Sequence, residues 1–159
     1  MRGFTLIELL IVMLIIGIAL GFISITAYYG GGPLELNTFA KDVSATLRYA
    51  RSHAIAEKRV YSFIMWKDKR TYGLYVDFSD NEETEEPTPV IYKTIPDSLE
   101  ATFKDRSPRL DPDADSFRIV FFPQGNSSGG IMEIRNQKSK VFLIIVNKVT
   151  GRVEVKKVG

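Results

Sequence analysis

The sequence predicts an α+β protein in which one long apolar helix is followed by an amphipathic helix and an antiparallel β head, either one sheet or a sandwich. Three observations carry this. Between Leu9 and Ile25 stand only apolar residues, Gly17, Gly21 and Ser24. Leu36, Ala40, Val43, Leu47, Ala50 and Ala54 recur at steps of four and three, the spacing of one helix face. From Val60 onward, short apolar runs alternate with polar turns to the end of the chain.

The first helix spans Phe4 to Tyr29. At about 1.5 Å per residue it is roughly 39 Å long, against a hydrocarbon core of about 30 Å. A cleavable secretory signal would carry a shorter apolar region without the acid Glu8. An ordinary signal anchor with Arg2 on the cytoplasmic side fits the length but leaves Glu8 without a task. An isolated acid at the membrane centre costs about 2.5–3.5 kcal/mol, and less near an interface. Beyond the anchor, Tyr28 and Tyr29 suit the membrane–water interface, and Gly30-Gly31-Gly32-Pro33 predicts a break or hinge.

The second helix is predicted over Leu34–Lys58, with Lys41, Asp42, Arg48, Arg51 and Glu57 mostly off its apolar stripe. Val60–Trp66 and Tyr72–Phe78 flank the turn Lys67–Arg70 as a hairpin. Asp80–Glu86 reads as an acidic solvated loop closed by Pro87 and Pro89. Further strands are predicted at Val90–Ile95, Leu99–Phe103, Phe117–Phe122, Gly130–Arg135, Val141–Asn147 and Arg152–Val158.

The N-terminal run Arg2-Gly3-Phe4-Thr5-Leu6-Ile7-Glu8-Leu9-Leu10 resembles the class III signal of type IV pilins and type II secretion pseudopilins. The resemblance implies that a prepilin peptidase cuts between Gly3 and Phe4 on the cytoplasmic face and N-methylates Phe4. It places Glu8 as the fifth residue of the mature chain, where the family carries a glutamate. A cationic amine at Phe4 of a neighbouring subunit then gives Glu8 a partner inside a filament core, where opposite charges attract strongly and an unpaired acid is penalised. The positive end of the helix dipole favours the same carboxylate.

Three head segments resemble the GspH/FimT group of H-type minor pseudopilins and related minor pilins. They are Ala50-Arg51-Ser52-His53-Ala54-Ile55, Phe122-Pro123-Gln124-Gly125-Asn126-Ser127-Ser128-Gly129-Gly130 and Gly151-Arg152-Val153-Glu154-Val155. This resemblance implies a pilin-like fold whose head is two small sheets packed on the second helix. It implies a filament-tip role beside other minor and major pseudopilins, with an inner-membrane assembly platform as partner and membrane lipid around the anchor before assembly. The implied organisation is a cytoplasmic leader at 1–3, a transmembrane and filament-core helix at 4–29, a hinge at 30–33 and a periplasmic head at 34–159. The chain would then be a single-pass inner-membrane protein before it enters the filament.

Other chemistry is thinly represented. The absence of cysteine excludes disulfides and thiolate sites. The single histidine, His53, lacks catalytic or metal companions nearby in sequence, and no cofactor or enzymatic activity is expected. Gly125–Gly130 is not followed by the Lys-Ser/Thr of a phosphate loop, so it reads as a turn between strands. Asp111, Asp113 and Asp115 alternate like the start of a calcium loop, but Ser116 and Phe122 stand where glycine and an acid belong. They form a calcium candidate with an incomplete pattern. Net charge is only +2, yet Lys148, Arg152, Lys156 and Lys157 make the C-terminal end basic. Some FimT-type minor pilins bind DNA through such a region, so a type IV pilus minor pilin with these four residues as DNA contacts is the alternative. Against it, Glu154 stands where that pattern has a second arginine. A membrane-anchored binding domain outside any filament is a third possibility.

Overall fold

The computed structural model describes residues 6–29, 31–77, 89–104, 116–138 and 140–158; for 19–29, 31–33 and 77 it describes the backbone alone. Two helices come first, α1 (Leu6–Tyr29) and α2 (Gly31–Glu57). Among the described residues eight strands follow: β1 (Val60–Trp66), β2 (Thr71–Asp77), β3 (Pro89–Thr94), β4 (Leu99–Phe103), β5 (Ser116–Phe121), β6 (Gly130–Asn136), β7 (Val141–Val146) and β8 (Val153–Val158). Each predicted strand is present, and the ends differ by no more than one residue. Two four-stranded antiparallel sheets result, ordered β3-β2-β1-β5 and β4-β6-β7-β8.

The predicted interruption at Gly30–Pro33 is shorter than expected. The helix resumes at Gly31, so three of those four residues are helical. Pro33 falls in the first turn, where its missing N–H has no intrahelical bond to lose. A glycine in a helix costs only about 1 kcal/mol relative to alanine. That is small against the packing that begins one turn later.

All six residues of the predicted stripe, Leu36, Ala40, Val43, Leu47, Ala50 and Ala54, are buried. They face rows of apolar side chains set by strand register. In the first sheet, Phe63 lies between Leu74 and Ile119, and Met65 between Tyr72 and Phe117. In the second, Met132 pairs with Phe103 and Ile144, and Ile134 with Ala101 and Phe142. The alternation of β-strand side chains puts each row on one face. These rows and the α2 stripe form one core cluster. The stacked rings of Phe103 and Phe117, 3.4 Å apart, join the two sheets.

The ends of the head are well defined. Near the start of α2, Ser98 Oγ donates to Glu35 Oε2 at 2.5 Å. Near its end, Tyr61 Oη donates to Glu57 Oε2 at 2.7 Å. The pairs Trp66–Ser116, Leu99–Asn136 and Val141–Val158 therefore lie at the base, where α1 joins. The turns 122–126 and 147–152 lie at the far end.

Leu47 is fully buried between α2 and the sheets. Leu47→Ala should lower the unfolding free energy by about 2–5 kcal/mol, and Leu47→Met by less than about 1.5 kcal/mol. Urea unfolding of the detergent-solubilised chain measures both.

Candidate functional site: an assembly helix and a three-segment junction

The thirteen described side chains of α1, Leu6–Ile18, are all exposed and apolar apart from Glu8 and Gly17. A helix apolar all round needs surroundings other than water. At about 1.5 Å per residue the whole of α1 is roughly 36 Å long. Among the residues whose side chains are described, no helix is long and apolar enough to cross a membrane. On α1 those side chains stop at Ile18; the uncharged sequence continues through Leu34. Glu8 occupies the first turn, the end where the helix dipole favours an acid. Gly3 and Phe4 lie outside the described residues.

At the far end of the head the structure brings together three segments distant in sequence. Arg51 of α2 donates from Nε to Thr150 O at 2.9 Å and to Gly125 O at 3.4 Å. Both acceptors belong to tight turns. In the first, Gly125 has φ +88° and its N–H donates to Phe122 O. In the second, Asn147 Oδ1 accepts from the N–H groups of Val149 and Thr150, an Asx turn, and Gly151 has φ +62°. Gly151 is required twice over. Its φ is one that side-chain-bearing residues rarely adopt, and a Cβ there would collide with Gly125 O and press on Arg51. The turns are also tied to each other, since Ser127 N–H donates to Lys148 O at 2.9 Å and Ser127 Oγ to Asn147 O at 3.1 Å. One guanidinium thus locks the helix to both turns.

The candidate DNA contacts do not converge on one surface. Lys148 is exposed on the turn 147–152, beside the cleft formed by Phe122 and Ser128. Arg152 shares a groove with Arg48, Arg51 and Glu154. Lys156 lies at the other end of β8, 3.9 Å from Glu154, and Lys157 points to the opposite face, paired with Phe142. Asp111, Asp113 and Asp115 lie outside the described residues, as does the acidic run Asp80–Glu86.

Two ionic clusters escape sequence reasoning. His53 Nδ1 meets Glu57 Oε1 at 2.7 Å and stacks on Tyr49, with ring centroids 3.9 Å apart. Hydrogen bonds from His53, and then from Tyr61, hold the Glu57 carboxyl below its usual range. Burial, and then the Glu57 bond, push the Tyr61 phenol up to about 12. Burial does the same to Tyr72, also to about 12. On β6, Glu133 is buried but held by Lys104 Nζ and Arg135 Nη2, each at 2.6 Å. Hydrogen bonds from these two cations lower its pKa. Alternation marks position 133 as outward-facing; its burial comes from the long cationic side chains laid over it.

An apolar N-terminal helix that feeds, through one residue, into the spine of a two-sheet head defines a pilin-like filament subunit. Residues 1–24 match the prokaryotic N-terminal methylation motif, and residues 40–151 match the family described as Type II transport protein GspH. A protein of Xanthomonas campestris pv. campestris described as type II secretion system protein H is 27% identical over 154 residues, 96% of this chain and 82% of that one. The minor pseudopilin EpsH of the Vibrio cholerae type 2 secretion system has the same fold, with TM-score 0.56 and 12% identity, over 77% of this chain and 97% of that one. So does the type IV minor pilin FimU of Pseudomonas aeruginosa, with TM-score 0.58 and 20% identity, over 77% and 88%. The chain belongs to the GspH family and is a GspH-type minor pseudopilin, a membrane-anchored periplasmic filament subunit that associates with other pseudopilins. Family and fold are those of structural subunits rather than enzymes.

Gly151→Ala should destabilise the chain by about 1–3 kcal/mol, the usual cost of a strained backbone position. Arg51→Met should do so by about 1–3 kcal/mol, since two carbonyls lose a charged donor. Thermal unfolding of the two single variants and the double variant should show less than additive losses. The Tyr61 and Tyr72 phenols favour the folded state while protonated. Their contribution is complete below the ordinary value of 10.0 and is lost as pH rises towards about 12. Tyr61→Phe and Tyr72→Phe should each remove part of the tyrosinate absorbance that develops near 12 and flatten the alkaline loss of stability.

Proposed function

We propose that this chain is a subunit at or near the tip of a type II secretion pseudopilus, where it helps to initiate or cap the filament that drives protein export across the outer membrane. The observation that carries the proposal is α1: apolar on every described side, with one acid in its first turn, and continuous within a residue of the helix that organises the head. In this proposal residues 1–3 are a cytoplasmic leader and residues 4–29 the transmembrane, later filament-core, helix. Residues 30–33 are the joint and 34–159 the periplasmic head. Prepilin peptidase cuts between Gly3 and Phe4 and methylates Phe4. The amine so produced on one subunit pairs with Glu8 of the next. Charge pairing in a low-dielectric core selects the axial register, because any other stagger leaves a carboxylate and an ammonium unmatched. The inner-membrane assembly platform lifts the subunit out of the lipid, and the rigid head contributes contacts, not chemistry.

A second proposal follows from the groove in which Arg152 lies beside Arg48 and Arg51. Three guanidinium groups suit phosphate, so a DNA-binding minor pilin of a type IV pilus is the competing function. Glu154 on the same groove opposes it.

Glu8→Ala should leave cleavage intact and exclude the chain from filaments, as measured by mass spectrometry and by co-purification with partner pseudopilins. Normal incorporation of Glu8→Ala would sink the charge-pairing mechanism. Gly3→Ala should block processing, seen as an unshifted mass. Fluorescence anisotropy with duplex DNA over a salt series separates the two functions. Binding that weakens steeply with salt and is lost in Arg152→Glu supports the pilus protein; no binding supports the secretion subunit.

A further inference from the structure

A groove of about 450 Å³ opens between the first turns of α2 and the neighbouring ends of β2 and β3. Phe39 and Tyr72 form its floor, their rings edge to face with centroids 5.8 Å apart. Leu34 marks its lower end and is 69% exposed, although it stands only two residues before the buried stripe that begins at Leu36. The charged groups on the rim are engaged within the chain. Lys93, opposite Tyr72 on β3, reaches from the sheet to Asp42 of α2 at 3.1 Å and closes the upper end. At the lower end Glu35 accepts from Ser98. With its ions already satisfied and its floor aromatic, the space suits an uncharged, apolar occupant.

We propose that this groove seats the apolar N-terminal helix of a neighbouring filament subunit, so that the helix packing begun on α1 continues past the joint onto the head. The inference rests on the filament assignment proposed above. Two observations choose the occupant. The first is continuity: Leu34 is the last residue of the uncharged run that begins at Leu9, and it stands five residues beyond Tyr29, the end of α1. The apolar sequence of α1 therefore leads to the mouth of the groove. The second is reach. The groove follows α2 from Leu34 to Asp42, about 8 to 20 Å beyond α1 along a helix. Lipid tails end with the roughly 30 Å core that α1 spans in this assignment, short of that height. A raised helix reaches it. Pairing Glu8 of one subunit with the Phe4 amine of the next offsets the two helices by four residues, about 6 Å, and lifts one towards its neighbour's head. In subunits built like this one, two or three such steps bring residues 22–34, all uncharged, level with residues 34–42.

The test uses the full chain in cells that assemble the filament. Thr38, exposed on the helical wall of the groove, is replaced by the photo-crosslinker benzoylphenylalanine. Irradiation should join it to the apolar N-terminal helix of a partner pseudopilin, identified by mass spectrometry of the adduct. The same group at Val149, exposed on the turn 147–152 at the far end, should give no such adduct. Leu34→Glu puts a charge at the mouth of the groove and should cut the adduct at position 38 roughly tenfold, while Leu34→Met should keep it. Neither substitution touches the buried stripe, so the fold is retained. An adduct to lipid or to a partner's head, no adduct from chains that are incorporated, or an equal yield from position 149 overturns the proposal. Co-purification with pseudopilins reads the underlying assignment separately. A chain that never co-purifies removes the filament role and the groove with it, whereas one that co-purifies without the helix adduct removes the groove alone.

Discussion

The head is organised around one buried stripe. Leu36, Ala40, Val43, Leu47, Ala50 and Ala54 are nearly or wholly out of solvent, and both sheets pack against them. Three of the six are alanines, which keep the helix axis close to the strands. Each sheet has one apolar face, and α2 with the opposing sheet is what covers it. Neither sheet would keep its register without that cover, because a one-residue slip exchanges the faces. The position of every turn, and so of every polar cluster, follows from this arrangement.

The ends of the spine are fastened by charge and hydrogen bonding instead of apolar burial. At the base, Arg70 Nη2 donates to the carbonyls of Pro96 and Leu99, which ties the first sheet to the strand that begins the second. At the far end, Arg51 does the same for the helix and two turns. Arginine suits both places because its planar donor set reaches two acceptors at once and stays charged. The buried acid Glu133 obeys the same economy of partners: two cations hold it, so it is not stranded. Among the described side chains, those of α1 from Leu6 to Ile18 make no comparable bond to the head, consistent with a helix whose contacts come from lipid or neighbouring subunits.

Local pattern accounts for much of this fold. The α2 stripe is legible because a 3.6-residue period reports one covered face. All eight strands are legible because apolar alternation and polar turns recur at short intervals. The glycine run is legible only in part. Its composition argues for a break, while helix propagation on both sides absorbs Gly31, Gly32 and Pro33. Arg51 carries no local signal of its own, since an arginine on the polar side of an amphipathic helix looks like any solvated charge. Only its place beside two glycine turns could have suggested a lock.

By itself the sequence determined the apolar anchor, the acid within it, the covered face of α2 and the count and near-limits of the strands. These depend on neighbours along the chain, where periodicity and propensity act directly. Only the tertiary structure decided the two-sheet order, the meeting of Arg51 with Gly125 and Thr150, and the shelter over Glu133. Those depend on which strand ends lie side by side, and that is set by packing against α2 among residues tens of positions apart.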